Sequence, residues 1–203
     1  DNIFKNALII FAAFHAASMT TLDANALVNL AGAVFIAPFM LLSATAGQLA
    51  DKYEKSRLIS VTVAIELAVM MLGAAGFFMH NLHLLLAALF LGGMQSALFG
   101  PVKYAILPQQ LKEHELVGGN ALVETGTSIA ILVGMMLGGW VVSQAGWGIA
   151  GIAFTTVGLS AAGLLLSRYI PLAPAADPEL RINWNLFTET WRNFQFMRGN
   201  RTV

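Results

Sequence analysis

The chain of 203 residues contains no cysteine. Disulfides, thiolate nucleophiles and cysteine-ligated zinc or iron–sulfur centres are therefore excluded. Charge is scarce too: Asp, Glu, Lys and Arg make up 11% of the residues, against about 25% in a typical soluble domain. The 11 cations balance the 11 anions, so the basic excess of a nucleic-acid-binding domain is missing. Four histidines (His15, His80, His83 and His114) are scattered, and no carboxylate accompanies His80 and His83 at ligand spacing. No metal site and no cofactor is expected. A Gly-x-x-x-x-Gly-Lys-Ser/Thr phosphate loop is also lacking, which removes an ATP motor of that kind. The expectation is a protein that is not an enzyme.

What the chain has in quantity is apolar length. Hydrophobic residues make up 57% of it and the mean hydropathy is +0.70. Six apolar runs stand out, roughly 3–22, 26–49, 58–79, 82–102, 117–142 and 149–170. Each reaches the roughly 20 residues that a helix needs to cross a bilayer's hydrocarbon core, and no alternating strand pattern competes. The reading is an all-α membrane protein with six transmembrane helices. The first run shows no charged leader followed by a small-residue cleavage pattern, so a removed signal peptide is not expected. A start at Asp1, without methionine, fits a piece of a longer chain.

The connections sort by charge. None of 20–25, 80–83 or 143–148 carries Lys or Arg, whereas Lys52, Lys55, Arg57, Lys112, Arg168, Arg181, Arg192, Arg198 and Arg201 collect on the other side. This asymmetry predicts that both ends of the chain are cytoplasmic. A bundle over 1–170 then leads into a linker over 171–203, where Pro171, Pro174 and Pro178 break the helix. Trp184, Phe187, Trp191 and Phe194 follow as one helical stripe, suited to the membrane interface or to packing on protein.

Polar groups inside apolar spans are expensive and mark a pathway by default. At roughly 100° per residue, Asp1, Asn2, Lys5 and Asn6 share one arc, with His15 beside it. Asp1 and Lys5 are spaced for an ion pair, and the arc should face the bundle interior unless Asp1 merely starts a helix at the surface. The fourth run ends in Gln95-Ser96, then Gly100-Pro101-Val-Lys103-Tyr104. Lys103 either snorkels to the interface or faces a cavity as an anion site. Asn120, Glu124 and Thr127 form a stripe in the fifth run, with Glu124 a partner for Lys103 or Lys5. Gly134 and Gly138 make a small-xxx-small surface for close helix packing. Glu66, alone in the third run, reads either as a proton site or as a structurally paired acid.

Between the second and third runs lies Gly47-Gln-Leu-Ala-Asp51-Lys52-Tyr-Glu54-Lys55-Ser-Arg57. It resembles the loop between spans 2 and 3 of major facilitator superfamily transporters, Gly-x-Leu-Ala-Asp-Arg-x-Gly-Arg-Lys. Gly47, Leu49, Ala50, Asp51, Lys52 and Lys55 match; Glu54 stands where glycine is usual and Ser56 where a cation is usual. The resemblance implies a conformational-switch loop formed by Gly47, Asp51, Lys52, Lys55 and Arg57.

Asp1-Asn2-x-Phe4-Lys5-Asn6, Phe99-Gly-Pro-Val-Lys103-Tyr104-Ala-Ile-Leu-Pro108, Asn120-Ala-Leu-Val-Glu124 and Gly134-Met-Met-Leu-Gly138-Gly139 narrow this further. Together they resemble the bacterial lysophospholipid transporter family over nearly the whole chain. That family has twelve spans in two halves, so the resemblance implies the N-terminal half of a major facilitator fold plus the central linker. It also implies a bacterial inner-membrane location and a lysophosphatidylethanolamine-like substrate, flipped to the inner leaflet. The implied partners are a C-terminal six-helix half and an acyltransferase/acyl-carrier-protein synthetase that re-acylates the lipid. Asp1, Lys103 and Glu124 inherit the family's intramembrane charges, and the expected substrate site comprises Asp1, Asn2, Lys5, Gln95, Lys103, Tyr104 and Glu124. Glu66 is left as a coupling residue. A proton-coupled exporter of small organic solutes, or a membrane scaffold for an acyltransferase, are the alternative readings.

Overall fold

The computed structural model describes residues 1–185 and Trp191, with the side chains of 15–19 excepted. Among these residues the chain forms six long helices, all from the expected apolar runs: α1 (Asn2–Met19), α2 (Ala24–Lys52), α3 (Lys55–Phe78), α4 (Leu82–Ala105), α6 (Leu116–Val142) and α7 (Gly148–Ser167). The short helix α5 (Leu107–Gln110) and a 3₁₀ turn at Glu113–Glu115 connect α4 to α6. Among the described residues five helices are individually long and apolar enough to span a bilayer. The sixth, α1, has 18 residues, of which Asn2–Phe14 are its fully described apolar part.

Polar side chains set several of the ends. Asp23 caps α2 by accepting from the Ala26 amide, and Asn81 caps α4 by accepting from the Leu84 amide at 3.2 Å. The turn between α3 and α4 puts His80 at a φ of 49°, and the turn before α7 puts Gly146 at 84°, where a glycine is unstrained.

In lipid the hydrophobic effect does not hold helices together; close packing and polar contacts must do so. α4 packs along α2 and α3, α3 also along α7, and α1 along α6 and α2. Phe77 takes Phe4 and Phe11 edge-on, with centroids 5.6 and 5.2 Å away, at the centre of a core that also buries Leu8, Met70, Leu85 and Leu89. The expected small-residue surface on α6 lies against α1. A Cβ on Gly138 would come within 2.5 Å of the Ile3 carbonyl oxygen, so only glycine permits this approach.

The charged stretch 47–57 is less of a loop than its composition implies. Helix α2 runs to Lys52 and α3 begins at Lys55, leaving only Tyr53 and Glu54 between them. After α7 the chain has no regular secondary structure from 171 to 175, where Pro171 and Pro174 end the helix, but it does not hang free. It returns to the same end of the bundle, where Ala173 is fully buried with Ala50, Ile59, Val102 and Ile106. Trp184 and Trp191 are exposed. Phe187 and Phe194, the other members of the expected stripe, lie outside the described residues, as do Arg192, Arg198 and Arg201.

Candidate functional site

The polar residues of α1, α4 and α6 converge on one side of the bundle. The Ser96 hydroxyl donates to Asp1 Oδ2 at 2.9 Å and lies 3.4 Å from Oε1 of Gln95, which is itself buried. Ser96 stands nine residues before the end of α4, roughly 14 Å along the helix axis. Asp1 is therefore level with a point well inside the length of α4. Its other carboxylate oxygen accepts from the backbone and side-chain nitrogens of Asn2.

Lys103 lies two turns beyond Ser96, toward the basic end of α4. Its ammonium donates to Thr127 Oγ1 at 3.1 Å and sits 4.7 Å from the centre of the Tyr104 ring. The neighbouring Tyr104 hydroxyl donates to the Glu124 carboxylate. Glu124 and Thr127 are three residues apart and so share a face of α6. The backbones of α4 and α6 scarcely approach each other, so these side chains bridge an open gap.

Two expected pairings are not formed. Lys5 makes no ion pair with Asp1; its ammonium lies 4.9 Å from the centre of the Phe35 ring on α2. Asp1 turns instead toward α4, where the Ser96 hydroxyl is within reach. Glu124 pairs with neither lysine, because Tyr104 interposes its hydroxyl and Lys103 takes Thr127. Among the described residues no side-chain carboxylate lies within ion-pair distance of Lys5 or Lys103. Both cations are thus left with neutral oxygen or aromatic partners, an arrangement ready to accept an anion. Thr127 appeared in the sequence only as one member of a polar stripe, and its spacing from Glu124 was the signal for its place here. Asn120 spends its side-chain amide on the Leu116 carbonyl.

On the other side of Asp1, its N-terminal ammonium pairs with Glu66 Oε1 on α3 at 3.6 Å. The two line a cavity of about 150 Å³ between α1, α3 and α7, which also meets Thr156 and Ser160. The sequence offered no reason to notice these two hydroxyls in an otherwise apolar helix.

A second polar cluster forms at the basic end. Glu54 caps α3, accepting from the Ser56 and Arg57 amides at 3.0 and 2.8 Å, from the Ser56 hydroxyl at 2.7 Å, and from the Ala173 amide at 2.8 Å. Partial burial pushes this carboxyl up, but donation from Ala173, Ser56 and Arg57 outweighs it and lowers the pKa to about 2. Lys55, only 2% exposed, donates through its ammonium to the Pro174 carbonyl at 3.1 Å, and its amide donates to Ala173. Gln109 and Gln110 donate to the Pro174 and Leu172 carbonyls, and the Asp177 amide donates to the Asp51 carbonyl. Lys55 and Glu54 thus pin the segment after α7. Asp51 and Arg57 are exposed, Lys52 is half-buried, and Gly47 faces open space.

Long apolar helices packed around a line of intramembrane charges define a multi-pass membrane protein. Residues 3–203 match the Major Facilitator Superfamily, and the chain belongs to it; the all-helical bundle is consistent with an N-terminal half of that fold. The chain is 30% identical over 159 residues to a lysophospholipid transporter LplT of Serratia proteamaculans, covering 78% of this chain and 38% of that protein. It is 33% identical over 172 residues to proteins of the same name from Escherichia coli O1:K1 and O45:K1, covering 79% of this chain and 40% of each. The chain thus spans about two fifths of the length of these relatives.

Proposed function

We propose that this chain is the N-terminal half of a secondary transporter that flips lysophospholipids across the bacterial inner membrane. The direction is toward the cytoplasmic leaflet, where an acyltransferase/acyl-carrier-protein synthetase restores the missing chain. In this reading 1–170 is the half-transporter bundle, 171–203 is the cytoplasmic linker, and the basic end is cytoplasmic. The exposed side of α1, α2, α4 and α6 meets a second six-helix half. The protein transports its substrate and does not transform it.

The observation that carries this reading is the Lys103–Thr127 bridge beside the Tyr104–Glu124 pair, together with Asp1 held by Ser96. A lysophosphatidylethanolamine head group is zwitterionic, with a phosphate that needs a cation and an ammonium that needs an anion. Lys103, with no carboxylate partner, takes the phosphate, and Thr127 offers its hydroxyl beside it. Asp1 or Glu124 takes the ammonium, with Asn2, Gln95 and Tyr104 orienting those acids. Lys5 supplies positive charge one helical turn from Asp1, toward the cation-free end. The single acyl chain lies along apolar side chains of the open face, such as Ile129 and Leu132 on α6. The switch residues Gly47, Asp51, Lys52, Lys55 and Arg57 lie where the two halves move against each other.

The test is flipping by the complete transporter reconstituted in vesicles, with lysophosphatidylethanolamine and its diacyl counterpart compared. The single-chain lipid should move in the presence of protein, and the diacyl lipid much more slowly. Equal movement of both, or of neither, contradicts the reading.

A further inference from the structure

The segment after α7 is held at more points than a plain connection needs. Ala173 donates its amide to Glu54 Oε1 at 2.8 Å, and its carbonyl accepts from the Lys55 amide at 2.8 Å. The Pro174 carbonyl accepts from the Lys55 ammonium and from Gln109, each at 3.1 Å, and the Leu172 carbonyl accepts from Gln110 at 3.2 Å. Further on, the Asp177 amide donates to the Asp51 carbonyl at 2.9 Å, and the Asn183 amide to Gln48 Oε1 at 2.8 Å. One run of chain thus spans the end of α2, the start of α3 and the short helix α5. Its prolines keep that run out of a helix, so its carbonyls stay available to these donors.

The grip is polar and thin. Ala173 is the one buried residue between 171 and 185, and Leu172 beside it is exposed. A single methyl group buries little apolar surface, so the hydrogen bonds do most of the holding. Lys55 is buried, and among the described residues its ammonium makes no ion pair; the neutral Pro174 carbonyl is its partner. A buried cation with a neutral partner is costly, and lifting the segment returns it to water. This narrows the free-energy gap between a docked and a lifted segment. Ala173 packs on Val102 and Ile106, which flank Lys103 and Tyr104, and also on Ala50 of α2 and Ile59 of α3. Just before them, Pro101 removes a rung from the helical ladder and Gly100 faces open space, so α4 bends easily between Ser96 and Lys103.

We propose that residues 172–177 form a releasable strap that positions Lys103. Docked, the strap ties the Lys103 end of α4 to the α2–α3 turn and fixes the separation of Lys103 from Asp1. Lifted, it frees that end of α4 to bend at Gly100 and Pro101. Lys55 and Glu54 are positioning residues here: they act on Lys103 through the strap. Glu54 stands where the facilitator pattern has glycine, which offers no carboxylate, so this grip belongs to the chain's own sequence. The strap's effect on flipping rests on the transport reading, whereas its docking and lifting require no lipid.

Hydrogen exchange on the purified complete transporter, without lysolipid, reads the strap directly. The Ala173 and Asp177 amides should exchange together, about tenfold or more faster than amides in the middle of α3 and α7. Lys55→Met, which keeps the length and removes the ammonium, should speed strap exchange severalfold while those helix centres exchange as in wild type. Gln109→Ala, an exposed change, should act in the same direction, and it alone decides if Lys55→Met loosens the helices too. Strap exchange as slow as the helix centres overturns the proposal, and so does wild-type exchange in the deciding variants. The consequence is tested with Gln110→Cys and Leu172→Cys together, on a background free of other cysteines, joined by a short cross-linker that a reductant cleaves. Cross-linked protein should flip lysophosphatidylethanolamine about tenfold or more slower, and reductant should restore the rate. An unchanged rate in cross-linked protein overturns the strap's role and leaves the transport reading standing. Exchange as expected with no flipping by wild-type protein would keep the strap and refute the transport reading.

Discussion

The Lys103 ammonium and the Thr127 hydroxyl meet at 3.1 Å, joining two helices whose backbones scarcely approach each other. A lysine that snorkelled would send its ammonium to the interface; this one reaches sideways into the gap between α4 and α6. Its partner is neutral, so its charge is not cancelled locally. The nearby acid, Glu124, is engaged by the Tyr104 hydroxyl.

Removing that hydroxyl should therefore change substrate handling and leave folding intact. In Tyr104→Phe, Glu124 is free to swing to Lys103 and compete with a lipid phosphate. Lysolipid affinity should fall severalfold, read by flipping rates over a range of lysolipid concentrations, while Glu124→Gln on top of Tyr104→Phe should recover part of the phosphate affinity. Equal losses in single and double variants would disprove the competition.

Asp1 is held through one oxygen by Ser96 and through the other by Asn2. Asp1→Asn keeps the shape and removes the charge, so it should reduce lysolipid transport by about tenfold or more. Ser96→Ala removes only a positioning bond and keeps the charge, so it should cost less than Asp1→Asn. A larger loss in Ser96→Ala than in Asp1→Asn would mean that position, not charge, matters there.

The Glu54 cap gives a pH signature of stability. Its pKa is lowered in the folded protein from 4.5 to about 2, so its contribution is fully present above pH 4.5 and is lost as pH falls toward 2. Glu54→Gln should melt below wild type at pH 7, with the gap closing under acid. Melting temperatures of both proteins from pH 7 down to about 3 check this; a gap that widens on acidification contradicts it.

Orientation is testable at exposed positions chosen from the structure. Ser56 is buried beneath Glu54 and Gly146 has a positive φ, so neither suits labelling. Single cysteines at His83 and Ala145 should react with an impermeant thiol reagent outside intact cells, and those at Arg57 and Glu113 should not. The reverse pattern would invert the assignment of sides.

The helices were legible in the sequence because long, predominantly apolar runs with at most one or two charges leave no other structure for a chain in lipid. The fold brings Lys103, Glu124 and Gly138, singled out by helical spacing, against neighbouring helices. Their partners were not legible. Whether Glu124 meets Lys103 or Tyr104 depends on how α4 and α6 are rotated across a gap, and no spacing within either helix encodes that. The Glu54–Ala173 and Lys55–Pro174 contacts join residues 119 positions apart. In sequence Glu54 looked like a departure from a glycine pattern; in the fold it caps α3 and holds the returning segment. Thr156 and Ser160 gave no signal at all, since small hydroxyl residues are ordinary where helices pack closely.

The central claim is that Lys103 binds the lipid phosphate, and one comparison tests it most directly. Lysophosphatidylethanolamine uptake should be measured in spheroplasts carrying the complete transporter as wild type, Lys103→Met or Lys112→Ala, at matched amounts of protein in the membrane. The account predicts that Lys103→Met loses uptake by about tenfold or more while Lys112→Ala, altered outside the gap, transports normally. Normal uptake by Lys103→Met would contradict the head-group assignment.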